Sequence, residues 1–215
     1  ISGGLDSTLA LLAVCDTFDL LGLDRKGIIC VTMPGFGTTD RTYQNALTMA
    51  RELGCTLKEI SIKEACEQHF RDIGLSAEER SVAYENSQAR ERTQILMDVA
   101  NLCGGMVIGT GDMSELALGW ATYNGDQMSM YGINSSVPKT LVRYMVDWYA
   151  NNRAEGVLRD ALLDVVATPV SPELLPADGN TIQQCTEDIV GPYDLHDFFL
   201  YCALRRRYSP SKIAM

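Results

Sequence analysis

The chain opens on Ile1-Ser2-Gly3-Gly4-Leu5-Asp6-Ser7-Thr8 and runs straight into Leu9–Cys15, a helix-like stretch that carries no charge. This junction constrains the fold more than any other feature. Two adjacent glycines let the backbone approach a ligand closely, so successive N–H groups can point into one anion while the helix that follows adds its positive end. Ser2 and Ser7 supply hydroxyl donors, and Asp6 offers the hard oxygen that Mg²⁺ prefers. The pattern reads as a phosphate cradle between a strand and a buried helix; without the chemistry it is a Gly-Gly turn in the same place.

A Walker A loop, G-x-x-x-x-G-K-[ST], is excluded because no lysine stands near this turn, and a dinucleotide G-x-G-x-x-G fingerprint is absent there as well. The S-G-G-x-D-S spacing instead fits the pyrophosphate loop of the ATP pyrophosphatases, enzymes that split ATP between its α and β phosphates and adenylate a substrate.

Beyond the cradle, β-branched apolar stretches at Ile28–Met33, Thr56–Ile62, Met106–Thr110 and Val165–Thr168 are expected as strands. Helical patterns cover Ser7–Leu20, Asp40–Leu53, Lys63–Asp72, Glu85–Leu102 and Pro138–Asn151. Strand alternating with helix predicts an α/β fold, doubly wound, with a mostly parallel sheet and helices on both faces. Ligands bind such sheets beyond the carboxyl ends of the strands. Three expected strand exits fall there: the cradle, Pro34–Thr39, and Gly109-Thr110-Gly111-Asp112. Pro176–Asn180 is expected as a flexible loop.

A length of 215 residues with 46% hydrophobic content suits one domain, 1–215. The cradle begins at residue 2 of a chain without an initiating Met, so the strand that delivers it is expected to be truncated and the chain to be part of a longer protein. No apolar run approaches the roughly 20 residues of a membrane span, which predicts a soluble protein with no membrane partner. A net charge of -10 argues against a nucleic-acid surface. Cys15, Cys30, Cys55, Cys66, Cys103, Cys185 and Cys202 form no C-x-x-C pair and read as buried free thiols in a reducing cytoplasm rather than as disulfides or zinc ligands.

Several further residues can carry chemistry. Asn86, Arg90 and Thr93 share one helix face, so Arg90 either clamps a phosphate or carboxylate or belongs to a solvated face with Glu91 and Arg92. Thr110 and Glu115 flank one turn; Glu115 with Asp6 would make a two-carboxylate Mg²⁺ site, or Glu115 would only stabilise its own helix N-terminus. Gly119–Pro138 is rich in aromatics and sulfur and suits either stacking on a flat heterocycle, as a lid, or ordinary loop packing. Lys139 is either a phosphate ligand or a surface lysine, while His69 and His196 lack a metal-spaced partner.

These blocks together resemble the NAD synthetase family, specifically the synthetase portion of its large glutamine-dependent form. The likeness rests on Ser2–Ser7, Met33–Arg41, Tyr84–Asn101, Gly109–Val142, Ser171–Pro176 and Thr186–Tyr201, with Y-E-N-S-Q-A-R-E-R-T-Q-I-L and G-T-G-D-M-S-E-L-A-L-G-W-A-T-Y-N-G-D the most specific runs. The resemblance implies an adenine nucleotide alpha hydrolase-like fold and ATP-dependent amidation of nicotinic acid adenine dinucleotide (deamido-NAD) through an adenylate, giving NAD⁺, AMP and pyrophosphate. It implies that Ser2, Gly3, Gly4, Asp6, Ser7, Met33, Thr110, Lys139 and Ser171 bind ATP, and that Asp6 and Glu115 act in catalysis by binding Mg²⁺. Asn86, Arg90, Glu115, Trp120, Ala121, Thr122, Tyr123 and Lys212 would contact the deamido dinucleotide. Tyr123 and Met130 stand where small ammonia-dependent members carry lysine and aspartate, which favours the large form. An upstream glutaminase domain, outside this chain, would then supply ammonia, and family members pair as homodimers or higher homo-oligomers. Another pyrophosphate-loop amidotransferase, or a nucleotide-binding module without catalysis, remains the alternative.

Overall fold

The computed structural model describes residues 1–76, 78–125, 127–170 and 186–214. Its first helix, α1 (Leu5–Leu20), has no charged residue between Asp6 and Asp16 and is covered on several faces, with Leu9, Ala10, Leu11 and Leu12 consecutively buried. A helix this apolar persists only inside a core. The chain then forms β1 (Ile29–Thr32), α2 (Asp40–Glu52), β2 (Thr56–Glu59), α3 (Lys63–Ile73) and α4 (Val82–Cys103). Next come β3 (Ile108–Gly109), α5 (Met113–Leu118), β4 (Tyr131–Gly132), α6 (Lys139–Asn152) and α7 (Gly156–Ala167). After them lie α8 (Thr186–Val190), α9 (Tyr193–Leu200), a π-helical turn at Tyr201–Arg205, and α10 (Pro210–Ile213).

Strand pairing is parallel in both described pairs. β1 runs beside β2 with Ile29 opposite Thr56 and Thr32 opposite Glu59, and β3 runs beside β4 with Ile108 opposite Tyr131. The amino group of Ile1 donates to the Val31 carbonyl at 2.6 Å, which sets the first residue alongside β1. Helices divide between two cores, as the two covered faces of a doubly wound α/β architecture require. The larger joins Leu5, Leu9 and Leu12 of α1 to Met49 and Leu53, to Val142 and Val146 of α6, and to Leu162 and Val165 of α7. Full burial of each such side chain is worth about 1.5–3 kcal/mol. The smaller holds Ile62, Cys66, Phe70 and Tyr84, with Phe36 from the loop after β1. Ring centroids of Phe70 and Tyr84 lie 5.1 Å apart and those of Phe36 and Tyr84 5.7 Å apart, so the β1 exit is packed in place by aromatics.

One expected strand is overturned. Val165–Thr168 ends α7 instead, because Leu158, Ala161, Leu162 and Val165 recur at three- and four-residue spacing and turn toward α2 and α6; the β-branched pair Val165-Val166 is simply the last turn of that stripe. The segment expected as a lid, Gly119–Pro138, is tied down within its length: Met130 and Tyr131 both donate their backbone N–H to the Val107 carbonyl, and β4 pairs with β3.

Burial of the thiols is met at five of the six described cysteines and not at Cys103. Cys15, Cys30, Cys55, Cys66, Cys103 and Cys202 are free, and all but Cys103 are buried. Cys15 and Cys55 sulfurs lie 3.7 Å apart. Ser171, Cys185 and the Pro176–Asn180 stretch lie outside the described residues.

Candidate active site

The cradle forms at the amino end of α1. Gly3 has φ +88°, and a Cβ there would stand 2.1 Å from the Thr42 carbonyl oxygen, so the loop passes against the backbone of α2 at a distance only glycine allows. Gly4 caps the helix without any side-chain hydrogen bond, which leaves the first turn's N–H groups facing outward. Ser2 and Ser7 face each other across the turn with hydroxyls 3.0 Å apart. The Gly4 N–H donates to the Ser2 hydroxyl at 3.2 Å, and the Ser7 hydroxyl donates to the Gly4 carbonyl at 3.1 Å. The roughly half positive charge of the α1 dipole falls here.

Beside this turn stands a cluster of charge. The Lys139 ammonium lies 2.6 Å from Asp6 Oδ2, 2.8 Å from Asp112 Oδ2 and 2.8 Å from Glu115 Oε1. Lys139 and Asp112 are almost wholly buried. Burial pushes the Asp6 carboxyl up to about 7, with Glu115 and Asp112 adding to the rise and Lys139 opposing it. Burial alone would lower Lys139, but the three carboxylates outweigh it and hold the ammonium firmly protonated.

One oxygen from each of Asp6, Asp112 and Glu115 lies within 4.8 Å of the others, a separation that a single cation can bridge. Asp6 Oδ1 is buried with no hydrogen-bond partner, and Asp112 Oδ2 has the ammonium as its partner. Hard, carboxylate-only donors of this kind fit Mg²⁺.

Asp6 and Glu115, about a hundred positions apart, are therefore brought together. Asp112 was not foreseen: it caps α5 by accepting the Glu115 N–H at 2.8 Å, and this ordinary N-cap role hid its second oxygen. Asn134 was also missed. Its amide donates to the Asp6 carbonyl at 2.9 Å and the Thr110 carbonyl at 3.0 Å, joining the cradle to the β3 exit. Lys139, expected to meet phosphate, spends its described ammonium contacts on the carboxylates and on the Tyr193 ring, 5.5 Å away.

A second wall adjoins the cluster through Trp120, whose N–H donates to the Glu115 carbonyl at 2.9 Å. From there Thr122 donates to Asn86 Oδ1 at 2.8 Å, and Arg90 Nε donates to the Tyr123 carbonyl at 3.1 Å. Asn86, Arg90, Thr122 and Tyr123 thus meet, and Arg90 and Tyr123 remain exposed to solvent. Ala121 is exposed in the same loop.

Met33 packs against the smaller core, and its carbonyl accepts from Arg92 at 3.2 Å. Lys212, on α10, lies 3.8 Å above the Tyr208 ring, and no described contact brings it to this cluster. Ser171 is outside the described residues. His69 is exposed on α3, and His196 bonds the Val190 carbonyl at 2.6 Å.

Comparison with known proteins adds the lineage. A family model described as NAD synthase matches residues 1–207. The glutamine-dependent NAD(+) synthetase of Mycobacterium leprae is 46% identical over 220 residues, covering 100% of this chain and 32% of that protein. The same-named protein of Synechocystis sp. is 30% identical, over 99% of this chain and 36% of its own length. The chain thus spans about a third of the length of these curated relatives. Among solved structures, an NMN synthetase from Francisella tularensis is similar with TM-score 0.75 and 25% identity, covering 93% of this chain and 74% of its own. A glutamine-dependent NAD+ synthetase from Acinetobacter baumannii, in complex with ADP, shares the fold at TM-score 0.68 and 23% identity, covering 100% of this chain and 36% of its own.

Proposed function

This chain belongs to the NAD synthase family, and we propose that it catalyses ATP-dependent amidation of deamido-NAD to NAD⁺. The observation that carries the reading is the meeting of the glycine cradle with a three-carboxylate cluster at the α1 N-terminus, with the Asn86–Arg90–Thr122–Tyr123 wall continuing from the end of the helix that carries Glu115. The substrate carboxylate oxygen attacks the α-phosphorus of ATP, the bond from that phosphorus to the bridging oxygen breaks, and pyrophosphate departs. Ammonia then adds to the acyl carbon, loses a proton, and AMP leaves with the electron pair of the cleaved C–O bond.

Residues of this chain have distinct parts in that sequence. Ser2, Gly3, Gly4 and Ser7 grip the ATP phosphates and stabilise charge growing on the leaving group; one such donor is worth roughly 3–4 kcal/mol. Asp6 and Glu115, with Asp112 beside them, would hold Mg²⁺, which when bound supplies charge neutralisation at the polyphosphate. Lys139 offsets carboxylate charge so that an anionic substrate can approach. Thr110 lines the β3 exit, and Asn86, Arg90, Trp120, Ala121, Thr122 and Tyr123 orient the dinucleotide. Met33, Ser171 and Lys212 stay as proposed contributors on the strength of the family pattern.

Glutaminase chemistry outside this chain would supply the ammonia. Leu141, Tyr144, Met145 and Trp148, exposed along α6, support a homodimer. No helix among the described residues is long and apolar enough to cross a membrane.

The test is to incubate the chain with ATP, Mg²⁺, deamido-NAD and ammonium. Equal yields of NAD⁺ and AMP are expected, and nucleotide binding without either product would overturn the reading in favour of a non-catalytic module. The resemblance to an NMN synthetase favours a second acceptor, so nicotinic acid mononucleotide belongs in the same assay.

A further inference from the structure

We infer that Asp197, on α9, is a positioning residue that sets the spacing between Glu115 and Lys139. Its carboxylate is buried and reaches two other helices at once. Oδ1 accepts a short hydrogen bond from the Ser114 hydroxyl, on the helix that carries Glu115. Oδ2 accepts the Thr140 N–H at 2.8 Å, in the first turn of the helix that carries Lys139. The loop is closed by the Lys139 N–H, which donates to the Ser114 oxygen at 2.9 Å.

This arrangement does more than cap a helix. Pro138, at the N-cap of α6, offers no side-chain cap, and the helix's two leading N–H groups are satisfied from α5 and α9 instead. A Ser or Asp at the cap position would have met the same need locally. Drawing the acceptors from two distant helices makes the placement of Lys139 depend on Asp197. The 2.8 Å contact between Glu115 and Lys139 spans the same α5–α6 gap that this carboxylate and Ser114 fix. Tyr193, one turn earlier on α9, sets its ring 5.5 Å from the same ammonium, so a single face of α9 forms the back of the cluster.

Reductive methylation of the chain followed by mass spectrometry reads the position of Lys139 directly, with exposed Lys58 and Lys63 as internal standards. In D197N, which keeps the shape but replaces one of the two acceptor oxygens by an NH₂ donor, and in S114A, Lys139 should label about ten- to a hundredfold faster while Lys58 and Lys63 label as before and the buried Cys66 thiol, read by a parallel iodoacetamide reaction, is unchanged. In the amidation assay, kcat should fall by a similar factor while the KM for deamido-NAD stays within about twofold, as expected of a residue acting through the orientation of others. Only this kinetic arm rests on the proposed function: a wild-type chain without turnover sinks that function, and the labelling arm still decides the inference. Unchanged Lys139 labelling in both variants overturns it. So does parallel acceleration at Cys66, or failure of both variants to fold, since either outcome makes Asp197 an ordinary structural residue.

Discussion

Replacing Lys139 by methionine removes one ammonium from the midst of three carboxylates and keeps the length of the side chain. At an effective dielectric of about 20, each contact of 2.6–2.8 Å is worth roughly 6 kcal/mol before desolvation. Mutual repulsion among carboxylates within 4.8 Å and the burial of Lys139 and Asp112 consume most of that. Removing one partner of a buried pair typically costs about 3–5 kcal/mol, because an uncompensated charge is left behind. For a domain of this size that corresponds to a Tm lower by roughly 6–20 °C.

The deficit should depend on pH, and its sign follows from Asp6. Its folded carboxyl titrates at about 7, above the ordinary value of 3.8, so between these pH values the folded chain holds a proton that the unfolded chain has released. Its contribution therefore favours folding at low pH and is lost as pH rises through 7. Without the ammonium the carboxylates repel more strongly and hold protons to higher pH, so K139M should be weakest at pH 8 and recover part of its loss at pH 6. Urea unfolding in EDTA at both values measures this. A variant within about 1 kcal/mol of the parent at pH 8 would refute an electrostatic role for Lys139.

Asp6→Asn should abolish turnover yet raise stability in EDTA at pH 8, because it removes a charge that the fold holds at a cost; a lower Tm would contradict this. Gly3→Ala forces φ +88° on a residue with a Cβ 2.1 Å from the Thr42 oxygen, so at least about 1–3 kcal/mol of stability should be lost together with ADP binding, as read by calorimetry. Arg90→Ala should raise the KM for deamido-NAD about tenfold or more, the worth of a hydrogen bond to a charged group, with the KM for ATP within twofold. A matching rise for ATP would move Arg90 out of the dinucleotide wall.

Legibility in the sequence tracked the distance over which each role is set. The cradle could be read because its parts are contiguous and the steric demand at Gly3-Gly4 is local. Asp112 was within sight, three residues before Glu115, but an N-cap explains an aspartate at that place completely. Asn134 acquires its role from carbonyls 128 and 24 positions away, and Asp197 from a serine 83 positions away; nothing near either residue signals such a partner. Val165–Thr168 failed as a strand for a related reason. A short β-branched run is ambiguous until the apolar stripe behind it is followed back to Leu158.

The thiols distributed through the two cores make the protein its own reporter of breathing. Burial pushes the Cys66 thiol up to about 11, and the hydrogen bond with Cys15, together with burial, holds Cys55 near the same value, so neither reacts at neutral pH until its surroundings part. An alkylating reagent would therefore mark exposed Cys103 at once and the others at rates set by local opening. Comparing Cys66 with Cys15 and Cys55 would rank the aromatic core beneath the β1 exit against the larger core behind α1, without introducing any probe.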